Sequence, residues 1–197
     1  AQRSEPFAAR PHAFATRSWP AGDRTATLRR MIDGITAFLD YWPKARARTT
    51  RVLDHLPAAD LEWSWAPGRF SFGDLLRHLA GIERWMYAEN VAGRPSRYRA
   101  HDASLANGLD GVRAYVERCH REAMAVFAAL TDAELQRRCT NPAGASMPIW
   151  KWLRAMVEHE AHHRGQLYMM ASMRGLVIPP LYGLTEEELR ARSVADG

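Results

Sequence analysis

Apolar residues recur at intervals of three and four along four long segments of this chain, and that period limits the fold more than any other feature. A segment written this way buries one side of a helix; a half-buried strand would need every second residue apolar. No alternating run of useful length competes, and the links between segments are mostly polar. The expected fold is all-α: a four-helix bundle with an N-terminal extension and a short C-terminal helix.

The first segment runs from about Thr25 to Leu56, through Leu28, Ile32, Ile35, Leu39 and Trp42 before Pro43, then Val52, Leu53 and Leu56 after it. Proline lacks the amide hydrogen and clashes with the preceding turn, so Pro43 is expected to break or kink it, leaving a short leading helix and then a bundle helix. The second opens at Ser71, which caps the helix with Asp74 three residues on, and carries Leu75, His78, Ile82 and Trp85 on one stripe. The third spans about Asn107 to Leu130, through Leu109, Val112, Val116, Cys119 and Ala123. The fourth begins at Pro148, carries Ile149, Trp152, Met156, His159, His163, Leu167 and Met170, and ends near Arg174, where Gly175 supplies a stop. Beyond it, Pro179, Pro180 and Gly183 mark turns, and Thr185 with Glu188 caps a short terminal helix.

At 197 residues and 47% apolar content the chain suffices for one domain, expected over residues 25–197. Residues 1–24, rich in Ala, Arg and Pro, read as a flexible or surface-packed arm; they lack the apolar centre of a secretory signal and include Glu5 and Asp23, so a cytoplasmic protein is expected. No stretch approaches the roughly 18 apolar residues of a membrane span. The charge of +5 comes from arginines scattered over helical segments, which reads as solvated surface rather than a nucleic-acid face. Cys119 and Cys139 fit neither a disulfide framework nor a zinc ribbon, and Cys119 reads as a buried thiol.

His78 alone would read as a core histidine bonded to a neighbour. His159 and His163 are different. At about 100° per residue they lie within roughly 40° on one helix face, so both rings can address one atom. Two inward imidazoles one turn apart crowd polar rings into apolar space, and a divalent metal relieves this by accepting both lone pairs. With His78 they form a three-histidine set on two helices, a common origin of metal sites in bundles. His162 competes with His163, but its stripe through Ala155, Glu158, Gln166 and Met169 turns away from Met156 and Leu167. His12, His55, His101 and His120 have no partner at ligand spacing and read as surface or loop residues. Glu158, Glu160, Arg164 and Gln166 flank the ligands and could orient rings, move protons or bind substrate; a solvated helix face is the equal alternative for each.

The capped helix SFGDLLRHLAGIE, the stretch HEAHHRGQ and the tail VIPPLYGL resemble the DinB-like (DinB/YfiT) superfamily of metal-binding four-helix proteins over about Thr36 to Glu188. The resemblance implies a divalent ion on His78, His159 and His163, zinc or nickel ahead of iron or manganese, and often a homodimer. It also implies a thiol-dependent transferase or isomerase, with bacillithiol, mycothiol or glutathione as cosubstrate. The long N-terminal extension and Pro43 depart from the family pattern.

The leading expectation is therefore an enzyme activating a low-molecular-weight thiol or water for transfer to, or isomerisation or hydrolysis of, a small electrophile. A non-catalytic metal-binding or ligand-sensing bundle is the alternative. A metalloprotease is the third reading: His159, Glu160 and His163 satisfy HExxH with Glu160 as base, and Glu186, Glu187 or Glu188 could be imagined as a further ligand. Against it stand the missing strand pattern and the imidazole already offered by His78.

Overall fold

The computed structural model describes residues 34–194, and the helical period is realised there as four long rods. They are α1 (Ile35–His55), α2 (Phe72–Ile82) running through a π turn (Glu83–Tyr87) into α3 (Ala88–Val91), α4 (Gly108–Ala128) and α5 (Ile149–Met173). A terminal helix α6 spans Glu186–Val194. The expected arm, residues 1–24, and the expected start of the first helix at Thr25 lie outside the described residues. One element was not expected: strands β1 (Arg138–Thr140) and β2 (Ser146–Pro148) pair antiparallel, with Cys139 opposite Met147.

Pro43 does not break the first helix. α1 runs through it, although Pro43 offers no N–H to the helix ladder. Phe38 and Trp42, both buried, stack at 6.3 Å, and Phe38 meets Phe127 edge-on at 5.6 Å. Each such burial contributes about 1.5–3 kcal/mol, against about 3 kcal/mol for an interior proline, so packing wins. The helix begins at Gly34 (φ 105°), where the Ile35 N–H donates to Asp132 Oδ1 at 2.8 Å; a Cβ at Gly34 would come within 2.7 Å of that oxygen.

The expected caps form. Ser71 Oγ accepts from the Asp74 amide and Asp74 Oδ2 from the Ser71 amide, both at 3.0 Å. Thr185 and Glu188 pair the same way ahead of α6. α5 ends in a Schellman motif: Gly175 at φ 72° lets the Leu176 amide reach the Ala171 carbonyl and its own amide reach Ser172.

The π turn resets the phase of the second rod. Trp85, expected on the apolar stripe, is only partly buried, whereas Glu83, Tyr87, Ala88 and Val91 face inward. An i→i+5 turn inserts one residue, so every side chain beyond it rotates to a new face.

Two apolar clusters result. One gathers Phe38, Trp42, Phe127, Ile149, Leu153 and Met156, and the other Val52, Leu75, Leu79, Val112, Cys119 and Leu167. Between them each long rod contributes buried or half-buried polar groups: Arg46 and Thr49 from α1, Glu83 from the π turn, His120 from α4, and His159, Glu160, His163 and Arg164 from α5. The candidate site belongs to this polar layer.

Candidate metal centre

Ring nitrogens of His78, His159 and His163 lie within 4.8 Å of one another. The Nε2 atoms of His78 and His163 stand 3.2 and 2.9 Å from His159 Nε2. Bonds of about 2.0–2.1 Å from three imidazoles to a tetrahedral ion would put the donor atoms about 3.3–3.4 Å apart, close to this spacing. α5 supplies His159 and His163 one turn apart, and α2, fixed by its Ser71 cap, brings His78 to meet them.

The outer nitrogens decide the tautomers. His163 Nδ1 lies 2.7 Å from Gln166 Oε1, which can only accept, so the ring carries its hydrogen on Nδ1 and turns a lone pair inward at Nε2. His78 Nδ1 lies 2.7 Å from the Tyr98 hydroxyl, which can hold that ring in the same tautomer. His159 Nε2 then faces two acceptors and has at most one hydrogen to give. The trio cannot satisfy itself, and one divalent cation would satisfy all three nitrogens.

Electrostatics favour the ligand form. Burial first, then His163 and His159, pushes His78 down to about 3; burial, then His163 and His162, pushes His159 down to about 4. Burial also lowers His163, partly opposed by its hydrogen bond to Gln166. All three imidazoles are neutral at pH 7, as coordination requires.

A model of the DinB superfamily matches residues 41–167, a span that includes all three histidines. The chain belongs to the DinB superfamily. A stretch of 58 residues is 40% identical to the uncharacterized protein YrdA of Bacillus subtilis (strain 168), covering 29% of this chain and 34% of YrdA, about a third of that relative's length. Two solved DinB-like proteins share the fold. One, from Bacillus cereus ATCC 10987, has a TM-score of 0.64 at 21% identity and covers 76% of this chain and 99% of its own. The other, YjoA of Bacillus subtilis, has 0.60 at 17% identity, covering 73% and 95%.

In this DinB-superfamily chain the other expected site residues divide. Gln166 is at the histidines, bonded to His163 and, through Nε2, 3.2 Å from the exposed His162. Glu160 and Arg164 are not on a solvated face. Glu160 is 2% exposed and pairs with Arg46 Nη1 at 3.0 Å; Arg164 donates to the Ala45 carbonyl at 3.3 Å. Burial pushes the Glu160 carboxyl up against the pull of Arg46, and its Oε1 has no hydrogen-bond partner. Glu158 is solvated, paired with Arg154.

Sequence reasoning left out three neighbours of the site. Phe70 stacks on His78 at 5.9 Å, and His101, expected to be an unrelated loop residue, meets Phe70 at 4.6 Å and His78 at 6.3 Å. Tyr98 is the third. Tyr98 and His101 come from the loop before α4, next to Ala100 at φ 105°, a strained conformation for a residue with a Cβ. His120 is no bystander either: its Nδ1 lies 2.8 Å from buried Glu83.

Proposed function

We propose that the chain is an enzyme holding one divalent ion, zinc or nickel, on Nε2 of His78, His159 and His163, and directing a low-molecular-weight thiol or water onto a small electrophile. The observation that carries this reading is the convergence of three neutral Nε2 atoms, two of them on rings whose Nδ1 is already engaged by Gln166 and Tyr98. When bound, the metal would supply Lewis acidity and lower the pKa of an incoming thiol or water.

The chain's own residues supply the rest. Gln166 and Tyr98 hold two rings at fixed angles, as outer partners of metal-binding histidines do. Phe70 and His101 form an aromatic wall beside His78, suited to shielding a reactive thiolate from bulk water. Three donors leave room for substrate, which favours turnover over a closed structural ion. Glu160 argues against the protease reading, since a carboxylate buried and paired with Arg46 is not free to activate water. The same proposal takes the protein to be a cytoplasmic homodimer with a small-molecule substrate.

The test pairs metal analysis with a thiol screen. Metal-loaded protein is assayed with bacillithiol, mycothiol and glutathione against small electrophiles, beside His163→Ala. Thiol transfer or hydrolysis that falls at least about 100-fold in the variant supports the proposal. Full metal occupancy without turnover would assign the chain to the metal-binding or ligand-sensing class instead.

A further inference from the structure

Three side chains of α5 form a hydrogen-bond chain that runs outward from the metal centre. At about 100° per residue, Gln166 projects between His162 and His163, about 40° from one and about 60° from the other, so a single amide can touch both rings. Its Oε1 lies 2.7 Å from His163 Nδ1, and its Nε2 lies 3.2 Å from His162 Nε2. His162, the rival ligand in the sequence, is exposed, and its ring plane stands at 69° to that of His163. It is not among the three rings whose nitrogens converge.

An amide has two unlike ends, which gives the chain a direction. The amide nitrogen only donates, so His162 accepts at Nε2 and carries its own hydrogen on Nδ1, where solvent can answer it. The amide oxygen is then left to His163, whose Nδ1 holds a hydrogen and whose Nε2 keeps a lone pair for an ion. Turning the amide over would reverse every link. Its N–H would meet His163 Nδ1, the ring hydrogen would move to Nε2, and His163 would present N–H instead of a lone pair to His159 Nε2, 2.9 Å away. A ring in that form cannot ligate through Nε2. One turn of an amide therefore separates a ligand from a bystander, and the ligand order needs an acceptor at position 162.

We infer that His162 is a positioning residue of the metal centre: by accepting from the Gln166 amide it holds the amide oxygen on His163, and so keeps the His163 Nε2 lone pair directed at the ion. This rests on the reading of His78, His159 and His163 as ligands, and it gives the second histidine of HEAHHRGQ a part in that site without a bond to the metal.

Nitrogen-15 NMR of the imidazoles, combined with zinc affinities from competition with a chelating dye, tests it. Spectra are taken of chelator-stripped and zinc-loaded protein at about pH 8, above the ordinary imidazole value of about 6.5, so that the placement of each ring hydrogen is what is read. In wild type the hydrogen is expected on Nδ1 of both His162 and His163. In Gln166→Glu, whose carboxylate accepts from both rings, the His162 hydrogen should move to Nε2 while His163 keeps its Nδ1–H. His162→Leu should weaken zinc binding at least about threefold, the worth of one hydrogen bond, but less than about twofold when Gln166→Glu is also present, because a carboxylate has no wrong end to turn. A His162 hydrogen resident on Nε2 in wild type overturns the inference, as does a His162→Leu effect that is absent or the same in both backgrounds. A loss above about 100-fold in both backgrounds also overturns it, since that exceeds what an outer partner contributes and would make His162 a ligand in its own right. Ring resonances of His78, His159 and His163 that do not move on zinc loading would instead overturn the ligand reading, a separate failure visible in the same spectra.

Discussion

Two polar groups of residues share the layer between the apolar clusters, and they solve the problem of burial in opposite ways. Arg46, Trp42 and His120 close on the Glu83 carboxylate, and Glu160 pairs with Arg46 through one oxygen. Glu83 accepts from Trp42 Nε1 at 2.6 Å, from Arg46 and from His120, while Arg46 also reaches Glu160. Burial opposes the ionisation of Glu83, but Arg46, His120 and Trp42 together hold its carboxyl below the usual range. The three histidines do not close: Tyr98 and Gln166 engage the outer nitrogens of His78 and His163, and the three inner nitrogens have too few hydrogens to satisfy one another. A buried carboxylate answered by its own neighbours, as Glu83 is, is architecture, whereas three rings that cannot answer one another are a request for an ion from outside.

The contrast can be broken most forcefully at Arg46. Arg46→Met strands the Glu83 carboxylate in the core and should cost about 3–5 kcal/mol, read by denaturant unfolding, with metal stoichiometry unchanged in the folded fraction. A loss below about 1 kcal/mol would mean that the cluster is not held by this pairing. His159→Ala should do the reverse. Removing the nitrogen shared by both short contacts should weaken metal affinity at least about 100-fold, near 2.7 kcal/mol, and leave far-UV circular dichroism intact.

Outer partners should matter less. Gln166→Leu leaves the ligands in place but frees the His163 ring, so about a tenfold loss of metal affinity is expected by competition with a chelating dye. An unchanged affinity would remove Gln166 from the site.

A further effect is one of pH. In chelator-stripped protein, His78 and His159 have folded pKa values near 3 and 4 against an ordinary 6.5. The unfolded chain therefore binds more protons below pH 6.5, and the stability these rings contribute is complete above that value and declines as pH falls toward 3. Glu89, held at about 2 chiefly by its hydrogen bond to Arg94, loses its contribution in a lower window, from its ordinary 4.5 down through about 2. Unfolding midpoints between pH 7 and 5 should thus fall in stripped wild type and much less in the double variant His78→Phe with His159→Phe.

What could be read from sequence follows from what short-range patterns encode. Period and caps located the helices, since Ser71 with Asp74, Thr185 with Glu188, and Gly175 act within a few residues of themselves. His159 and His163 were readable for the same reason, and Gln166 follows one turn later. The ionic cluster was not: Arg46, Glu83 and Glu160 sit on three helices, and a charged residue declares its burial only through a partner far away in the chain. The continuity of α1 through Pro43 was hidden likewise, because aromatic packing rather than local propensity decides it. Tyr98 and His101 occupy an irregular loop, where no period exists to place them.

Three imidazoles converging on one cation would leave a signature that needs no assay. Anomalous diffraction from crystals of the metal-loaded protein, collected on both sides of the metal absorption edge, tests for it directly. One peak per chain is expected, about 2.0–2.1 Å from Nε2 of each of His78, His159 and His163. A fully loaded protein whose anomalous peak lies elsewhere, or whose three rings stand apart with no shared peak, would contradict this convergence.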